Sequence, residues 1–309
     1  MSDGYFSAHP GGAFPAEQFE AHRDHLRAVA FRMLGSASEA DDAVQEAWLR
    51  LHRSGTDEVA NLGGWLTTVV SRVCLDMLRS RGSRREVPLD QPDRPEPRST
   101  DPRDVPESAA LLVDSVGVAM LVVLDTLAPA ERLAFVLHDL FAVPFDEIAP
   151  IVERSPAATR QLASRARRRI QGATAPRADL MRRRRLVDAF LAASREGRFD
   201  DLLALLDPDV VLRADDVAVA TARAGAAHGA PALARELHGP HSVAKVFDGR
   251  AQAARTVLVD GMPGAAWAPG GRPRTVFAFT IEDDAIVEIE VVSDPEQLAA
   301  LEVTFPDAG

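Results

Sequence analysis

Hydrogen-bonding and cationic side chains are concentrated in one short stretch of this chain, between residues 155 and 168. Ser155 and Pro156 have the residue types of a helix N-cap and a first helical position. The candidate contact residues of this predicted helix are Ser155, Thr159, Arg160, Gln161, Ser164, Arg165, Arg167 and Arg168. Arginine and glutamine hydrogen-bond to base edges in the DNA major groove, and arginine also neutralises phosphates. The stretch therefore predicts a nucleic-acid interface, for which the plain alternative is a basic amphipathic helix without a ligand.

Two shorter helices are predicted directly upstream of this basic helix. One begins at Pro129, where a first helical turn tolerates proline, and the next covers Phe145 to Val152. Two short helices joined by a tight turn, the second of them basic, are typical of a helix-turn-helix, whose second helix lies in the major groove. The first residues of that helix would then contact bases, and its later arginines would contact phosphates.

A second group of candidate residues lies on an amphipathic segment nearer the N-terminus. Asp42 and Glu46 are four residues apart, and Gln45 and Leu49 occupy a neighbouring face. Together they form an acidic, partly apolar strip that suits docking onto a basic protein surface. The alternative is a solvated helix face.

The segment that follows offers groups for single-stranded nucleic acid. The loop from Asn61 to Gly64 is flexible enough to hold an extruded base, and Trp65 could either stack on a base or pack in the core. Cations for backbone phosphates follow at Arg72, Arg79, Arg81, Arg84 and Arg85.

Helical periodicity and proline content divide the chain into segments. Residues 1–15 have the composition of a flexible tail, and residues 16–86 are predicted to be helical. Residues 87–106 contain six prolines and almost nothing apolar, which indicates an extended linker. A second helical block covers residues 107–175, and residues 180–309 mix helices with strands.

A hairpin near the C-terminus is the clearest strand signal. Thr275 to Glu282 and Ala285 to Ser293 flank a tight turn at Asp283 and Asp284. In the second of these strands, apolar residues alternate with Glu288 and Glu290, as expected when one face is buried and the other solvated. The last domain is therefore predicted to be α+β, with a curved sheet wrapped by a few helices.

The charge distribution separates a basic segment from an acidic domain. The net charge is -11, yet residues 154–185 contain eleven arginines and a single acid, Asp179. Residues 186–309 contain ten basic and twenty acidic residues. Such a division suggests a nucleic-acid surface joined to a module with another role.

Other features exclude several classes of protein. The single cysteine, Cys74, rules out a disulfide framework or a cysteine-based zinc site, and its apolar surroundings predict a buried residue. The N-terminus lacks a secretory signal, and Asp114 and Asp125 interrupt the most apolar segment, 109–127. We therefore expect a cytoplasmic protein without a membrane span.

The motifs resemble those of extracytoplasmic-function RNA polymerase sigma factors. PFDEIAPIVERSPAATRQLASRARRRI is similar to their fourth conserved region, which reads the -35 promoter element. FEAHRDHLRAVAFRMLGSASEADDAVQEAWLRLH and NLGGWLTTVVSRVCLDMLRSRGSRRE are similar to their second region, which binds the polymerase core and opens the -10 element. The resemblance implies two all-α sigma domains, a region 2 helical bundle and a region 4 helix-turn-helix. It also implies that the strip from Asp42 to Leu49 binds the β′-subunit clamp of the polymerase, and that the chain directs promoter-specific initiation.

The acidic C-terminal domain resembles the SnoaL-like domain, of the NTF2-like fold, that one subgroup of these sigma factors carries. The resemblance rests on GRFDDLLALLDPDVVLRADD and on the paired end strands. It implies a domain that modulates activity and touches the linker at Pro95, Glu96 and Pro97. The alternative is a ligand-responsive domain with an unknown small ligand, or a catalytic one. No fixed spacing links its candidate groups, so we expect neither an enzyme nor a cofactor or metal; these groups are Asp215, His228, His238 and His241.

Two positions depart from the family pattern of the helix-turn-helix. The turn has Glu153 where the family usually has glycine, so left-handed backbone geometry would cost about 1–2 kcal/mol. Pro150 lies inside the short second helix and is expected to kink it. Both positions leave the angle of the basic helix open.

Overall fold

Long stretches with apolar residues at every third or fourth position, and with no proline after Pro15 in the first turn, form the first three helices, α1 (Phe14–Leu34), α2 (Ala37–Ser54) and α3 (Leu62–Arg85). This is a computed structural model, and it describes residues 14–54, 61–85, 118–225 and 230–305. The three helices bury a shared core that includes Phe19, Leu26, Met33, Leu51, Leu66 and Leu75. Gly35, in the left-handed region with φ of 71°, ends α1. The predicted region 2 helical bundle is confirmed.

Shorter elements build the predicted helix-turn-helix. They are α4 (Val118–Leu124), α5 (Pro129–Phe135), a π-helical turn (Val136–Leu140), α6 (Phe145–Val152) and α7 (Pro156–Thr174). Glu153 ends α6 in the left-handed region (φ 57°, ψ 44°), so this turn keeps its backbone shape without a glycine. Pro150 is accommodated within α6, which continues to Val152.

Arg132 ties the helix-turn-helix to the first three helices. Its side chain is buried, pairs with Asp125 and donates to the backbone carbonyl of Arg32 from Nε at 3.3 Å and from Nη2 at 3.2 Å. A guanidinium that donates both to a carboxylate and to a carbonyl near the C-terminus of a helix has hydrogen-bond partners without water. These helices belong to one compact unit, which extends to Arg167.

The second compact unit begins at Arg168 and contains the mixed domain. Its helices after α7 are α8 (Arg177–Glu196), α9 (Phe199–Leu205), α10 (Asp216–Ala224), α11 (Pro240–Phe247) and α12 (Pro295–Ala300). Its strands are β1 (Leu206–Ala214), β2 (Glu236–His238), β3 (Ala254–Val259), β4 (Met262–Trp267), β5 (Thr275–Glu282), β6 (Ala285–Val292) and β7 (Val303–Thr304). They form one sheet in the order β2-β1-β6-β5-β4-β3-β7. Only the β1 and β6 pair is parallel among these described strands.

Apolar residues on both faces of this sheet are covered. The main core joins α8, α11 and the central strands through residues such as Phe190, Phe247, Phe279 and Ile289. A smaller cluster, built around Val257 and Val276, has α12 packed against it. The predicted hairpin is confirmed, with Asp283 and Asp284 both at positive φ, as a two-residue turn between antiparallel strands requires. The α+β class of this domain is confirmed as well.

Several expectations concern residues outside the described ranges. These include most of the N-terminal tail, the Pro-rich linker and its candidate contact residues Pro95, Glu96 and Pro97. Among the described helices, none has the length and hydropathy needed to cross a membrane. The apolar segment at 109–127 is described from Val118, where α4 forms seven residues of helix.

The buried position of Cys74 leads to a test of this core. The side chain has no exposed surface, and burial raises the pKa of its thiol to about 12. Because the thiolate is the reactive form, we expect no reaction with an aromatic disulfide reagent at pH 8 in the native chain, and complete reaction in denaturant. Ser38→Cys in a Cys74→Ala background supplies the exposed control thiol on α2 and should react at once. Rapid native labelling of Cys74 would contradict the packing of α3.

Candidate nucleic-acid interface

The N-terminal turn of α7 presents the most accessible of the candidate base-contacting groups. Ser155 caps the helix, its Oγ accepting from the backbone N–H of Ala158 at 3.2 Å. Arg160 and Gln161 are partly exposed in the next turn. The backbone bends sharply at Glu153 just before this cap, so the helix starts with an exposed edge.

Arg160 is held by a stack of rings. Its guanidinium lies over the ring of Phe145, 5.3 Å from the centroid, and that ring stacks on His138 at 3.8 Å with an interplanar angle of 27°. His138 is itself fixed by a 3.0 Å contact between Nδ1 and the carbonyl of Val143. A guanidinium that stacks through its face keeps the N–H groups at its edge for hydrogen bonds. The stack therefore orders Arg160 without consuming its donors.

Three other residues of the predicted interface are buried. Thr159 has no exposed surface, and its hydroxyl donates a hydrogen bond to the carbonyl of Ser155 at 2.9 Å. Ser164 is buried, and Arg165 pairs with the buried Glu131 of α5 at 3.5 Å. Side chains at these positions face the helix-turn-helix core, so they stabilise the motif rather than form its outer surface.

Arg167 and Arg168 have different surroundings although they are adjacent. Arg167 is about one third exposed and makes a bidentate contact with Asp139, at 2.6 and 3.4 Å. Arg168 belongs to the second unit, where it is buried between Glu290 of β6 and Asp260 of the β3–β4 turn. The sequence predicts that Arg168 contacts a phosphate, but its guanidinium is enclosed by protein and is not accessible to DNA.

The contacts of Arg168 define a buried charge cluster, made of Arg168, Glu290 and Asp260. Nη1 donates to Glu290 at 2.6 Å, and Nε donates to Asp260 at 3.4 Å. Burial by itself lowers the pKa of Arg168, but the two carboxylates outweigh it and the net shift is upward, so the guanidinium stays charged. Asp260 also accepts from the backbone N–H of Glu302 at 3.2 Å and lies 3.4 Å from Nε of Arg169.

The end of α7 approaches the β3–β4 turn closely. Asp260 and Gly261 are both at positive φ, the geometry of a two-residue hairpin turn. A Cβ at Gly172 would lie 3.0 Å from the backbone of Gly261. Glycine at both positions permits the close contact between helix and turn that brings Arg168 within reach of Asp260.

The acidic strip on α2 is exposed as expected. Asp42, Gln45 and Leu49 face solvent, with Leu49 43% exposed. Glu46 is half-buried beside Arg50, with 3.0 Å between Oε1 and Nε. The opposite face of α2 packs inward, which fixes the direction in which the strip points.

The structure divides the candidate residues of α3 into exposed and engaged groups. Asn61 caps the helix, its Oδ1 accepting from the backbone N–H of Gly64 at 3.0 Å, and Trp65 is partly exposed. Arg72 and Arg79 are exposed, although Nη2 of Arg72 also donates to the carbonyl of Pro150 at 3.4 Å. Arg81 is engaged: it pairs with Glu39 and donates to the carbonyl of Leu34 at 3.2 Å. The side chains of Arg84 and Arg85 lie outside the described residues.

The polar candidates of the mixed domain have structural partners. Asp215 caps α10, accepting from the backbone N–H groups of Ala218, Ser293 and Asp294 at 2.7, 2.6 and 2.8 Å. Nε2 of His238 lies 3.4 Å from Oε1 of Glu236, and His241 lies against the ring of Phe199. His228 lies outside the described residues, and among those described no cluster of three metal-ligating side chains occurs.

Sequence reasoning missed the partners of Arg168. Glu290 was predicted to face solvent because it alternates with apolar residues in β6, yet it is buried. Asp-Gly between two apolar runs was an available signal for the turn at Asp260. No spacing in the sequence connects either acid to α7.

Comparisons with known proteins find sigma-factor similarity both in the two helical segments and over most of the chain. Residues 18–84 match the family Sigma-70 region 2, and residues 118–170 match the family Sigma-70 region 4. The chain is 38% identical to the ECF RNA polymerase sigma factor SigJ of Mycobacterium tuberculosis, over 91% of this chain and 92% of that protein. It is 34% identical to the probable ECF RNA polymerase sigma factor SigI of the same organism, over 92% and 94%. The crystal structure of SigJ is similar over 92% of this chain and 98% of that chain, with 32% identity and a TM-score of 0.38.

The different environments along α7 predict different effects on DNA binding. Ala substitution of Arg160 or Gln161 should relax preference at one base pair of the upstream element, by about 1–3 kcal/mol for a bidentate contact. Arg167→Ala should instead weaken binding to all sequences and reduce the slope of log affinity against log salt by about 0.9. Binding to the target and to its single-base variants over a salt series measures both effects. Identical behaviour of the three variants would contradict this orientation of the helix.

Proposed function

Because this chain belongs to the extracytoplasmic-function family of RNA polymerase sigma factors, we propose a specific role in initiation for each of its helical surfaces. The chain binds RNA polymerase core and directs promoter-specific transcription initiation. In the proposal, α2 docks on the core, α3 reads the -10 element and α7 is the recognition helix for the -35 element. Since transcription takes place in the bacterial cytoplasm, we propose that compartment as its site of action.

The exposed strip on α2 is the observation that supports core docking. Its residues, Asp42, Gln45, Glu46 and Leu49, combine two carboxylates with an exposed leucine. Charge complementarity to a basic coiled coil in the β′ clamp would steer association, and burial of Leu49 would add apolar contact area. Arg50 and Arg53 lie near Glu46 on the C-terminal side of the strip. These two cations mark the edge of the acidic surface there.

Promoter reading is assigned to the exposed groups of α3 and α7. In the proposal, the partly exposed Trp65 stacks on an unpaired base, and the exposed Arg72 and Arg79 contact the backbone of the opened strand. On α7, Ser155, Arg160 and Gln161 form the proposed base-contacting edge. Arg167 can reach a phosphate by exchanging its contact with Asp139.

The C-terminal domain is proposed to modulate activity through the end of the recognition helix. The buried charge cluster fixes Arg168, and with it the last turns of α7, within the second unit. A domain that fixes part of the recognition helix restricts which orientations that helix can adopt on DNA. Asp215 supports this role over a catalytic one, because its carboxylate is occupied by three backbone N–H groups.

Core docking is tested by reversing the charge of the strip. Asp42→Lys together with Glu46→Lys should abolish co-purification with polymerase core, because the strip would then repel a basic partner. Glu17→Lys together with Asp24→Lys makes the same charge change on the exposed face of α1 and should leave binding intact. If the α2 variant stays folded and still co-purifies with core, the assignment of the strip is wrong.

The modulatory role is tested at β6. Glu290→Ala breaks a buried ion pair, so it should lower the stability of the second unit by about 3–5 kcal/mol and alter the yield of promoter-specific transcript. Hydrogen exchange of β3 to β6 in the full chain measures the first effect. Transcription in vitro with core polymerase measures the second.

Glu288→Ala is the matched control two residues away on the same strand. Glu288 pairs with Arg213 at a partly exposed position, so its loss should cost less than the loss of Glu290 and leave transcription unchanged. A higher yield of promoter-specific transcript with Glu290→Ala would mean that the domain restrains initiation. A lower yield would mean that the domain assists initiation. An unchanged yield, with the expected loss of protection, would refute modulation through α7.

A further inference from the structure

The first half of α8 carries a concentration of arginines that neither the fold nor the proposed function explains. Five occur within nine residues, with Asp179 as the only acid among them; we call this set the α8 basic strip, Arg177, Arg182, Arg183, Arg184 and Arg185. Positions 177, 181 and 185 are four residues apart, so they share one face of the helix. That face is exposed, and Met181, 51% exposed, lies between the two arginines.

Few acids neutralise the strip. Arg182 pairs with Asp284 at 3.3 Å and Arg184 with Asp188 at 3.9 Å, both in exposed positions where ion pairs are weak. Arg177 and Arg185 are exposed and have no acidic partner among the described residues. Their guanidinium groups are therefore available to an anionic partner without breaking a contact of the fold.

The position of the strip is unfavourable for the helix itself. The first turn of a helix carries the positive end of its dipole, so a cation at Arg177 is destabilising there, and the adjacent cations from Arg182 to Arg185 repel one another. Residues placed against local stability and without internal partners are expected at sites of function. The remainder of the domain is acidic, with twenty acids and ten bases from residue 186 onward, so the strip is a localised positive surface on a negative body.

We propose that the α8 basic strip binds the phosphate backbone of duplex DNA directly upstream of the element read by α7. The inference rests on the proposed function, since it takes α7 to be the recognition helix. Only Ala175 and Pro176 separate the end of α7 from the start of α8. At no more than about 3.6 Å per residue, the strip begins within about 11 Å of the C-terminal end of α7, which is the end away from the base-contacting turn.

Duplex DNA suits this surface better than an acidic protein patch does. It carries one negative charge per about 1.7 Å of its axis, so exposed arginines gain from counterion release wherever they meet the backbone. Specific pairing is not needed, which fits exposed side chains such as Arg177 and Arg185, for which the described residues supply no acidic partner. The acidic body of the domain would be repelled by the same phosphates, so the strip would also decide which side of the domain faces DNA.

The experiment measures the salt dependence of promoter binding by the full chain with polymerase core. Two duplexes are used, one ending at the upstream edge of the -35 element and one extended by about 20 base pairs, two helical turns. Arg177→Gln with Arg185→Gln should lower the slope of log affinity against log salt by up to about 2 on the long duplex, at about 0.9 per phosphate. On the short duplex, the variant should match the parent chain.

Two controls separate phosphate binding from general charge and folding effects. Arg223→Gln with Arg272→Gln removes the same charge from exposed arginines elsewhere in the unit, and should leave the slope on both duplexes unchanged. Arg177→Lys with Arg185→Lys keeps the charge and should restore the slope.

Three results would overturn the proposal. They are an unchanged slope in the Gln variant on the long duplex, an equal loss in the Arg223 and Arg272 control, and loss of core affinity rather than DNA affinity. The last would mean that the strip binds an acidic protein surface. Absence of core binding by the parent chain would overturn the proposed function and, with it, this inference.

Discussion

Arg168 carries a positive charge into the interior of the second unit, and its two carboxylate partners come from positions far along the chain. Removing such groups from water costs several kcal/mol per ion, and the cost is offset only when the opposite charges and their hydrogen bonds are all in place. Asp260, Glu290 and the last turns of α7 must therefore assemble together. The last two turns of α7, from Arg168 onward, are consequently part of the second compact unit, and the boundary between the two units falls within this helix.

This constraint narrows the surface that α7 can offer to DNA. Thr159, Ser164 and Arg165 are turned inward to the helix-turn-helix, and Arg168 is enclosed by the second unit. What remains is the partly exposed Arg167 and an edge at the N-terminal turn, where Arg160 is ordered by Phe145 and His138. A short edge of ordered groups favours sequence discrimination over affinity, because phosphate contacts supply most of the affinity of DNA-binding proteins. Additional phosphate contacts from elsewhere in the chain would then be valuable, and the exposed arginines of α8 are a source of them.

The overall negative charge and the DNA-binding role are compatible because opposite charges are separated along the chain. The acidic body of the domain discourages unspecific contact with nucleic acid, while α7 and α8 place positive groups at defined positions. Within the second unit, part of the acidic charge is used internally, at Glu290 and Asp260, and does not act on the surroundings. The net charge alone therefore does not predict whether such a domain binds DNA.

Much of this protein was predictable from local sequence. Helical periodicity, the Ser155-Pro156 start and the Asp283-Asp284 turn each depend on residues close together in the chain, so the sequence predicts the start of α7 and both strands of the β5–β6 hairpin. The exposed strip of Asp42, Gln45 and Leu49 follows from the same periodicity, because its apolar neighbours define the buried face. The family could also be identified, since its two motifs are contiguous segments.

Only the tertiary structure decided which charged residues are buried. Arg167 and Arg168 are neighbours of the same type, yet one contacts Asp139 at a partly exposed site and the other is enclosed by Glu290 and Asp260. Glu290 alternates with apolar residues as a solvent-facing residue would, and local pattern cannot reveal that a helix end covers that face of the sheet. A charged side chain whose partner lies about a hundred residues away has the same local sequence signature as a solvated one. Burial depends on long-range packing, and that information is absent from residue spacing.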